Sequence, residues 1–281
     1  MTASSHANGG SGFPEWLVAA ALESAVSLLP KPSVFGISGV QGSGKSTLAR
    51  QIAFSAQQRG LRVAVLSLDD CYLSRAERLL LADHVHPLLA NRGPPGTHDL
   101  PLAMQGMSNL RAGRPARLPR FDKLADERLP ESSWPLIDGA VDVVILEGWM
   151  LGVPPQPGPA LAPPVNTLER EEDPDGIWRR WCNDALGTGY QDLWRQIDAL
   201  WLLKAPSFEV VPAWRWQQEQ SMQVHSPQRP GMSRPQLDRF VQLFERVSRH
   251  ALAVLPALAE RVVELDEHRQ PLRRPGLGQT R

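Results

Sequence analysis

The sequence predicts an α/β fold with a mostly parallel central sheet, and three observations support this prediction. A β-type run at residues 33–38, SVFGIS, leads into a glycine-rich loop and a helical stretch that ends near Gly60. A second β-type run, LRVAVLSL, follows at 61–68. This strand–loop–helix–strand order is a βαβ unit and implies parallel neighbouring strands. A third strong run, VDVVIL, occupies 141–146 and extends the same sheet.

Apolar periodicity predicts the remaining elements. Residues 13–29 carry apolar side chains at helical spacing, and the PKP sequence at 30–32 ends this helix. The spacing of three tryptophans also fits one helix face and predicts that they lie in the core: Trp178, Trp181 and Trp194. Further helices are expected near 176–196, 207–224 and 233–250, and further strands at 198–204 and 261–266.

The composition excludes several classes of protein. The chain has 281 residues with 30 Lys+Arg and 30 Asp+Glu, so it has no excess charge for coating nucleic acid or an anionic membrane. No apolar run approaches the ~18 residues that a membrane span needs. Cys71 and Cys182 are too few for a disulfide framework, which predicts a reducing, cytoplasmic setting. Nothing in the sequence predicts an obligate protein partner.

The loop after the first strand predicts a phosphate site. Residues 39–46 read GVQGSGKS and match G-x-x-x-x-G-K-[ST] at every position. Its glycines permit the tight turn that lets consecutive N–H groups converge on an anion, and the following helix directs its positive end there. Lys45 can reach the outer phosphates and the Ser46 hydroxyl can bind Mg²⁺. The predicted nucleotide-binding residues are Gly39, Gln41, Gly42, Ser43, Gly44, Lys45, Ser46 and Thr47.

Acidic residues end the second and third strands, where ligands of parallel sheets bind. Asp69 and Asp70 follow the second strand; because side chains alternate, we expect Asp69 to face the site and Asp70 to cap the next helix. Asp69 could accept a hydroxyl proton and help to hold Mg²⁺. Glu147 ends the third strand and fits a second carboxylate that supports Mg²⁺; the alternative is a solvated residue in a turn.

The segments between the strands supply candidate groups for a second substrate. His98 could hydrogen-bond a hydroxylated or acidic substrate, although a lone histidine is often structural, and Asp99 could cap a helix that begins at Leu100. Arg120 and Lys123 could clamp a phosphate or a carboxylate. The remaining candidates are Arg215, on a helix after the fourth strand, and two aromatic residues at strand ends, Tyr72 and Trp149.

The chain resembles the D-glycerate 3-kinase family, within the larger phosphoribulokinase/uridine kinase group of P-loop kinases. The resemblance covers about residues 34–271 and is carried by GVQGSGKST, SLDDCY, GTHDL, LPRFDK, VVILEGWMLG, PSFEVVPAWRWQQE, GMS and LDEHRQP, in this order. EGWMLG and the LDD-x-Y segment are its most specific parts. Cys71 and the short segment RFDKLADERLPESSW depart from the family pattern, and both lie near the expected acceptor site.

The resemblance implies a three-layer P-loop kinase fold with helical lid insertions. It implies ATP and Mg²⁺, and phosphoryl transfer to D-glycerate giving 3-phosphoglycerate, with Asp69 as base, Lys45 and Ser46 at the phosphates and Mg²⁺, Glu147 as acidic partner and Arg215 as lid arginine. The expected organisation is a disordered start at 1–12, one kinase domain at 13–271 and a tail at 272–281. Lid and substrate insertions are expected at about 74–135 and 205–235.

Three alternatives remain at this point. Other acceptors within the same group are uridine, pantothenate and a phosphoribulose. A GTP switch would need an Asn-Lys-x-Asp signature, but no asparagine in this chain precedes a lysine. A P-loop protein that binds ATP without catalysis is disfavoured by the intact set of Lys45, Ser46, Asp69 and Glu147.

Overall fold

A computed structural model describes residues 12–225 and 231–272. It has the expected α/β architecture, with a parallel sheet between two layers of helices. Nearly all of the expected disordered start and of the expected C-terminal tail lie outside the described residues, and the domain boundaries stay a prediction. No helix within the described ranges is both long and apolar enough to cross a membrane.

The central sheet of the described chain has the strand order β2-β7-β1-β8-β9, with every neighbouring pair parallel. Because all these strands run in one direction, their carboxyl ends share one edge, and the predicted site residues follow there. The strands are β1 (Ser33–Gly39), β2 (Val63–Ser67), β3 (Ala116–Arg117), β4 (Phe121–Asp122), β5 (Glu127–Arg128), β6 (Leu136–Ile137), β7 (Val143–Gly148), β8 (Ala199–Lys204) and β9 (Arg261–Glu264).

Helices cover both faces of the sheet because its inner strands are apolar on both sides. Val34 and Leu146 belong to the core on one face, whereas Phe35 and Ile145 belong to the core on the other, and all four are buried. The helices are α1 (Glu15–Ser27), α2 (Lys45–Gln58), α3 (Arg75–His84), α4 (Leu100–Arg111), α5 (Thr167–Glu172), α6 (Ile177–Gly187), α7 (Gly189–Trp194), α8 (Val211–His225) and α9 (Arg234–Leu258).

The prediction of one continuous helix over 176–196 is wrong. The segment 176–196 forms α6 and α7, which are separated at Thr188, where ψ is −110° between two glycines. Glycine flanks lower the cost of leaving the helical conformation, which explains the break. Trp178 and Trp194 are buried as predicted, whereas Trp181 is only partly buried and packs at the edge of the same core.

Candidate active site

The glycine-rich loop joins β1 to α2 at the carboxyl edge of the sheet. Gly42 has φ +80° and Gly44 has φ +93°, which are conformations that residues with a side chain rarely adopt. A Cβ atom on Gly42 would also lie 2.7 Å from Cβ of Trp214. The loop therefore depends on glycine for its backbone and for its packing, and it leaves the N-terminus of α2 directed at the site.

Lys45 folds back over this loop. Its Nζ atom donates to the Val40 carbonyl at 3.0 Å, and the side chain is buried. Burial lowers the pKa of Lys45, against the opposing charges of Glu147 and Asp69. The charges of Lys123 and Arg215 also act on it. Lys45 is therefore the point at which the phosphate loop and the predicted catalytic side chains converge.

Ser46 and Glu147 form a preassembled pair of oxygen ligands. The Ser46 hydroxyl donates to Glu147 Oε1 at 2.8 Å, and Glu147 is only 5% exposed at the end of β7. The alternative of a solvated turn residue is therefore wrong for Glu147. Mg²⁺ keeps several waters and takes one or two protein oxygens together with substrate phosphates, so these two residues fit its needs.

The side chains of the loop also fit a polyanion. Ser43 Oγ and both polar atoms of the Gln41 amide are buried without a hydrogen-bond partner among the described residues. A buried polar group without a partner costs about 1–3 kcal/mol, so such groups gather where a ligand completes them. This observation fits a bound nucleotide phosphate at the predicted loop.

Asp69 and Asp70 lie in a 3₁₀ turn, Leu68–Asp70, directly after β2. Asp69 Oδ2 accepts from Lys123 Nζ at 3.3 Å. Burial alone would raise the pKa of Asp69, but the Lys123 and Lys45 charges outweigh it and lower the pKa to about 2. Asp69 is therefore an ionised carboxylate held between the phosphate loop and a cation of the opposite wall.

The capping role predicted for Asp70 is wrong. Asp70 accepts from the Phe121 amide and from Arg120, both at 3.2 Å, and so anchors the β4–β5 hairpin that carries Lys123. The N-cap of α3 is Ser74, which forms a capping box with Glu77. The two adjacent aspartates thus have different partners, as the alternation of side chains predicted. Asp70, however, anchors the hairpin and does not cap a helix.

A cleft of about 1160 Å³ opens between the loop and the segments opposite. Its lining includes Gly42, Gly44 and Thr47 of the loop, together with Lys123 and Arg215. Burial lowers the pKa of Arg215, against the opposing charges of Glu219 and Asp69. The structure thus brings together the predicted phosphate residues and three of the predicted catalytic or acceptor residues: Asp69, Lys123 and Arg215.

Arg92 lines the same cleft and was missed from the sequence. It pairs with Asp126 at 2.6 Å, and its guanidinium lies 5.8 Å from the ring centroid of Phe121 and 6.0 Å from that of Phe240. In the described contacts only one nitrogen atom of the guanidinium, Nη1, donates to Asp126, so Arg92 has further N–H donors for a ligand. The surrounding sequence, NRGPPG, indicates only turns and gave no signal of this site.

His98 and Tyr72 form a buried polar layer beside Asp69. Their rings lie 4.7 Å apart, and the charge of Asp69 acts on the pKa values of both. Burial lowers the pKa of His98 to about 4, so the ring is neutral at pH 7. The Tyr190 hydroxyl lies 2.6 Å from His98 Nδ1 and accepts from the Gly96 amide at 2.8 Å.

This geometry assigns the tautomer of His98. The Tyr190 oxygen is already an acceptor, so its single proton is best donated to Nδ1, which leaves the ring hydrogen on Nε2. His98 Nε2 is buried and has no partner among the described residues. His98 therefore offers an unused donor near Asp69, and its substrate role stays a prediction.

Three residues predicted to bind the acceptor pack against or bind other residues of the chain. Trp149 is 2% exposed and packs edge-to-face on Phe244 in the core, so it does not line the cleft. Asp99 accepts from the Leu102 amide as the N-cap of α4, and its other oxygen binds Arg128 at 2.7 Å. Arg120 is paired with Asp70. Trp149 is therefore a core residue, whereas the substrate roles of Asp99 and Arg120 stay predictions.

Comparisons with known proteins bear on this site. A family model described as methylmalonyl Co-A mutase-associated GTPase MeaB matches residues 16–82, which contain the phosphate loop but less than half of the chain. The "Uncharacterized kinase mug58" of Schizosaccharomyces pombe is 32% identical over 220 residues, covering 75% of this chain and 78% of that protein.

Two further relatives carry an activity in their names. The chloroplastic D-glycerate 3-kinase of Arabidopsis thaliana is 28% identical over 263 residues, which cover 86% of this chain but only 54% of that protein. This chain therefore spans about half the length of the plant enzyme. A solved structure of D-glycerate 3-kinase from Cryptococcus neoformans is 26% identical, with a TM-score of 0.71 over 91% of this chain and 95% of that one.

Proposed function

Because the chain belongs to the D-glycerate 3-kinase-like family of P-loop kinases, we propose that it transfers the γ-phosphoryl group of ATP to a hydroxyl group of D-glycerate, giving 3-phosphoglycerate. The observation that carries this proposal is the position of Asp69. Its carboxylate interacts with Lys45 of the phosphate loop and with Lys123 of the opposite wall. An acceptor hydroxyl beside Asp69 would thus face the terminal phosphate.

The phosphate loop holds the donor in this proposal. Main-chain amides at the start of α2 and the Lys45 ammonium bind the β- and γ-phosphates, and Lys45 leaves the Val40 carbonyl to do so. Ser46 and Glu147 are the residues that would hold Mg²⁺, which when bound neutralises charge on the phosphates. Arg215 lies where it can offset charge that develops on the transferred group.

Asp69 orients the acceptor hydroxyl more than it deprotonates it. A carboxylate with a pKa of about 2 is a weak base at neutral pH. Phosphoryl transfer passes through a loose transition state in which the attacking oxygen gains little bond order, so early proton removal matters little. The proton can pass to Asp69 late in the step, as the new P–O bond forms.

The acceptor end of the cleft favours a small anion. Arg92 and Lys123 are cations of this wall, and Arg92 sits between two phenyl rings with donors to spare. A guanidinium binds a carboxylate through two parallel hydrogen bonds, which suits the carboxylate of glycerate. A neutral nucleoside offers no anionic group to these cations, so uridine is the weaker candidate.

The test is an ADP-release assay with a panel of acceptors. D-glycerate, uridine, pantothenate and ribulose 5-phosphate are each offered with MgATP, and the phosphorylated product is identified by NMR. The proposal expects kcat/KM for D-glycerate to exceed that of every other acceptor by at least about 100-fold, since a site built to hydrogen-bond one substrate leaves its polar groups unpaired with an analogue that does not match them. Faster turnover of another acceptor would assign the chain to that kinase activity. ATP binding without turnover of any acceptor would favour a non-catalytic role.

A further inference from the structure

Arg269 contacts two separate parts of the cleft, the phosphate loop and α8. Its Nε donates to the Gly42 carbonyl of the phosphate loop at 2.7 Å. One terminal nitrogen donates to the Trp214 carbonyl at 3.3 Å and to Gln217 Oε1 at 2.7 Å, both on α8. The guanidinium carbon lies 5.2 Å from the ring centroid of Trp214. One side chain thus bridges the loop, α8 and the segment after β9.

The turn at 266–270 is built to present this side chain. Arg269 has φ +65°, a left-handed conformation that is unfavourable for an L-residue other than glycine. Asp266 stabilises the turn, because its Oδ1 accepts from the amides of His268 and Gln270, both at 2.8 Å. Such conformations persist only where the surroundings enforce them, and they gather at functional sites.

The contact with Gly42 fixes the direction of a phosphate-binding amide. In a trans peptide the carbonyl and the next N–H point in opposite directions. Because the Gly42 carbonyl is turned outward to Arg269, the Ser43 N–H points into the loop, where it donates to the Val40 carbonyl at 3.2 Å. The positive guanidinium also polarises this peptide and makes its N–H a stronger donor to an anion.

The contacts with α8 fix the direction of Arg215. Arg269 binds the carbonyl of Trp214, the residue directly before Arg215, and Trp214 Nε1 donates back to the Glu267 carbonyl at 2.7 Å. The Trp214 side chain fills the space that a side chain at Gly42 would need. α8 and the phosphate loop are therefore held together on one side of the cleft, with Arg215 lining it.

We propose that Arg269 is a positioning residue that fixes the phosphate loop and α8 to each other, so that the Ser43 amide and the Arg215 guanidinium meet the same triphosphate. This inference rests on the proposed binding of ATP at the loop, but it does not depend on the identity of the acceptor. Arg269 also lines the cleft, so a direct contact with the nucleoside is the competing role.

The test compares ATP with AMP, each titrated calorimetrically into the full chain without any acceptor. Arg269→Gln should raise the Kd of ATP about tenfold, the loss expected for one charge-assisted hydrogen bond, and change the Kd of AMP less than about twofold. Arg261→Gln is the matched control, because Arg261 stacks on Trp201 at 5.1 Å but is outside the described lining of the cleft. Arg269→Gly is the second variant, since glycine adopts the same φ freely and keeps the turn folded.

A double-mutant cycle with Arg215→Ala tests the coupling. If Arg269 acts through Arg215, the ATP affinity lost in the double variant is smaller than the product of the two single losses. Equal losses for ATP and AMP would show a direct nucleoside contact and overturn the proposal, as would multiplicative losses or unchanged ATP affinity in both variants. A wild-type chain that does not prefer ATP to AMP would overturn the proposed function as well, whereas failure of D-glycerate as acceptor would leave this inference standing.

Discussion

The two ends of the cleft are built in different ways. The donor end consists mainly of consecutive residues, 39–47, whose backbone forms the phosphate loop, with Glu147 added from the neighbouring strand. The proposed acceptor end is assembled from side chains of separate segments, among them Arg92 and Lys123. A backbone site is fixed by a few glycines and a helix start, whereas a side-chain site depends on how distant segments pack. Substitutions at the donor end should therefore alter the affinity for ATP, and substitutions at the acceptor end should alter only the KM of the acceptor.

Asp69→Asn is the strongest test, because Asp69 lies where the two ends meet. We expect kcat to fall about 1000-fold, because an amide neither orients the acceptor hydroxyl as a carboxylate does nor takes up its proton late in the step, while the Kd of ATP changes less than about twofold. Steady-state kinetics and calorimetric titration measure the two quantities. Asp192→Asn, at an exposed ion pair with Arg195 on α7, is the matched control. Normal turnover of Asp69→Asn would remove Asp69 from the reaction.

The pH dependence of stability tests the buried, neutral state of His98. Because burial lowers the pKa of His98 to about 4 from 6.5, the unfolded chain takes up a proton that the folded chain refuses between these values. The contribution of neutral His98 to the free energy of unfolding should therefore be complete above pH 6.5. This contribution should fall by about 3 kcal/mol as the pH drops to about 4.

Urea unfolding of the wild type and of His98→Asn at a series of pH values measures this contribution. The stability difference between the two chains should shrink as the pH falls through the window, because only the wild type loses this contribution. A difference that is the same at pH 7 and at pH 4.5 would contradict the buried neutral His98 held by Tyr190.

Lys45→Ala should affect the donor end, whichever acceptor is used. Loss of the ammonium should weaken ATP binding and reduce kcat/KM for ATP by about 100-fold, since the interaction strengthens as charge develops on the phosphates. Lys204→Ala is the control, because Lys204 pairs with Glu264 outside the described lining of the cleft. Unaltered ATP affinity together with normal turnover would show that the buried Lys45 stays on the Val40 carbonyl.

Arg92→Ala should raise the KM of the acceptor about thirtyfold and leave the Kd of ATP within about twofold, as expected for one lost charge-assisted contact. Arg92→Lys should recover only part of this loss, since an ammonium cannot form the paired hydrogen bonds of a guanidinium. Initial rates at saturating ATP, with D-glycerate varied, give the KM. Arg114→Ala, at an exposed position just after the turn that follows α4, is the control. A rise in the Kd of ATP instead would show that Arg92 contacts the donor and not the acceptor.

Local patterns predicted most of the scaffold correctly. The strands of the central sheet in the described chain lie within a few residues of their apolar runs, and Asp99 is the helix cap that its position before Leu100 indicates. Asp70 failed the same kind of inference, because Ser74 offers a competing cap four residues later and the hairpin amide of Phe121 takes the carboxylate. Local capping signals say that a helix begins nearby, but tertiary contacts select among the available residues.

The amino-acid sequence alone was sufficient to predict the parallel sheet, the phosphate loop and an acidic residue at the end of a neighbouring strand, because each depends on neighbours in the chain or on one sheet edge. The places of three other residues became evident only in the folded chain: Arg92 lines the cleft, Trp149 lies in the core and Arg269 contacts the phosphate loop from 227 residues away. These outcomes depend on which side chains meet when distant segments pack. No periodicity or spacing in the sequence indicates these long-range contacts.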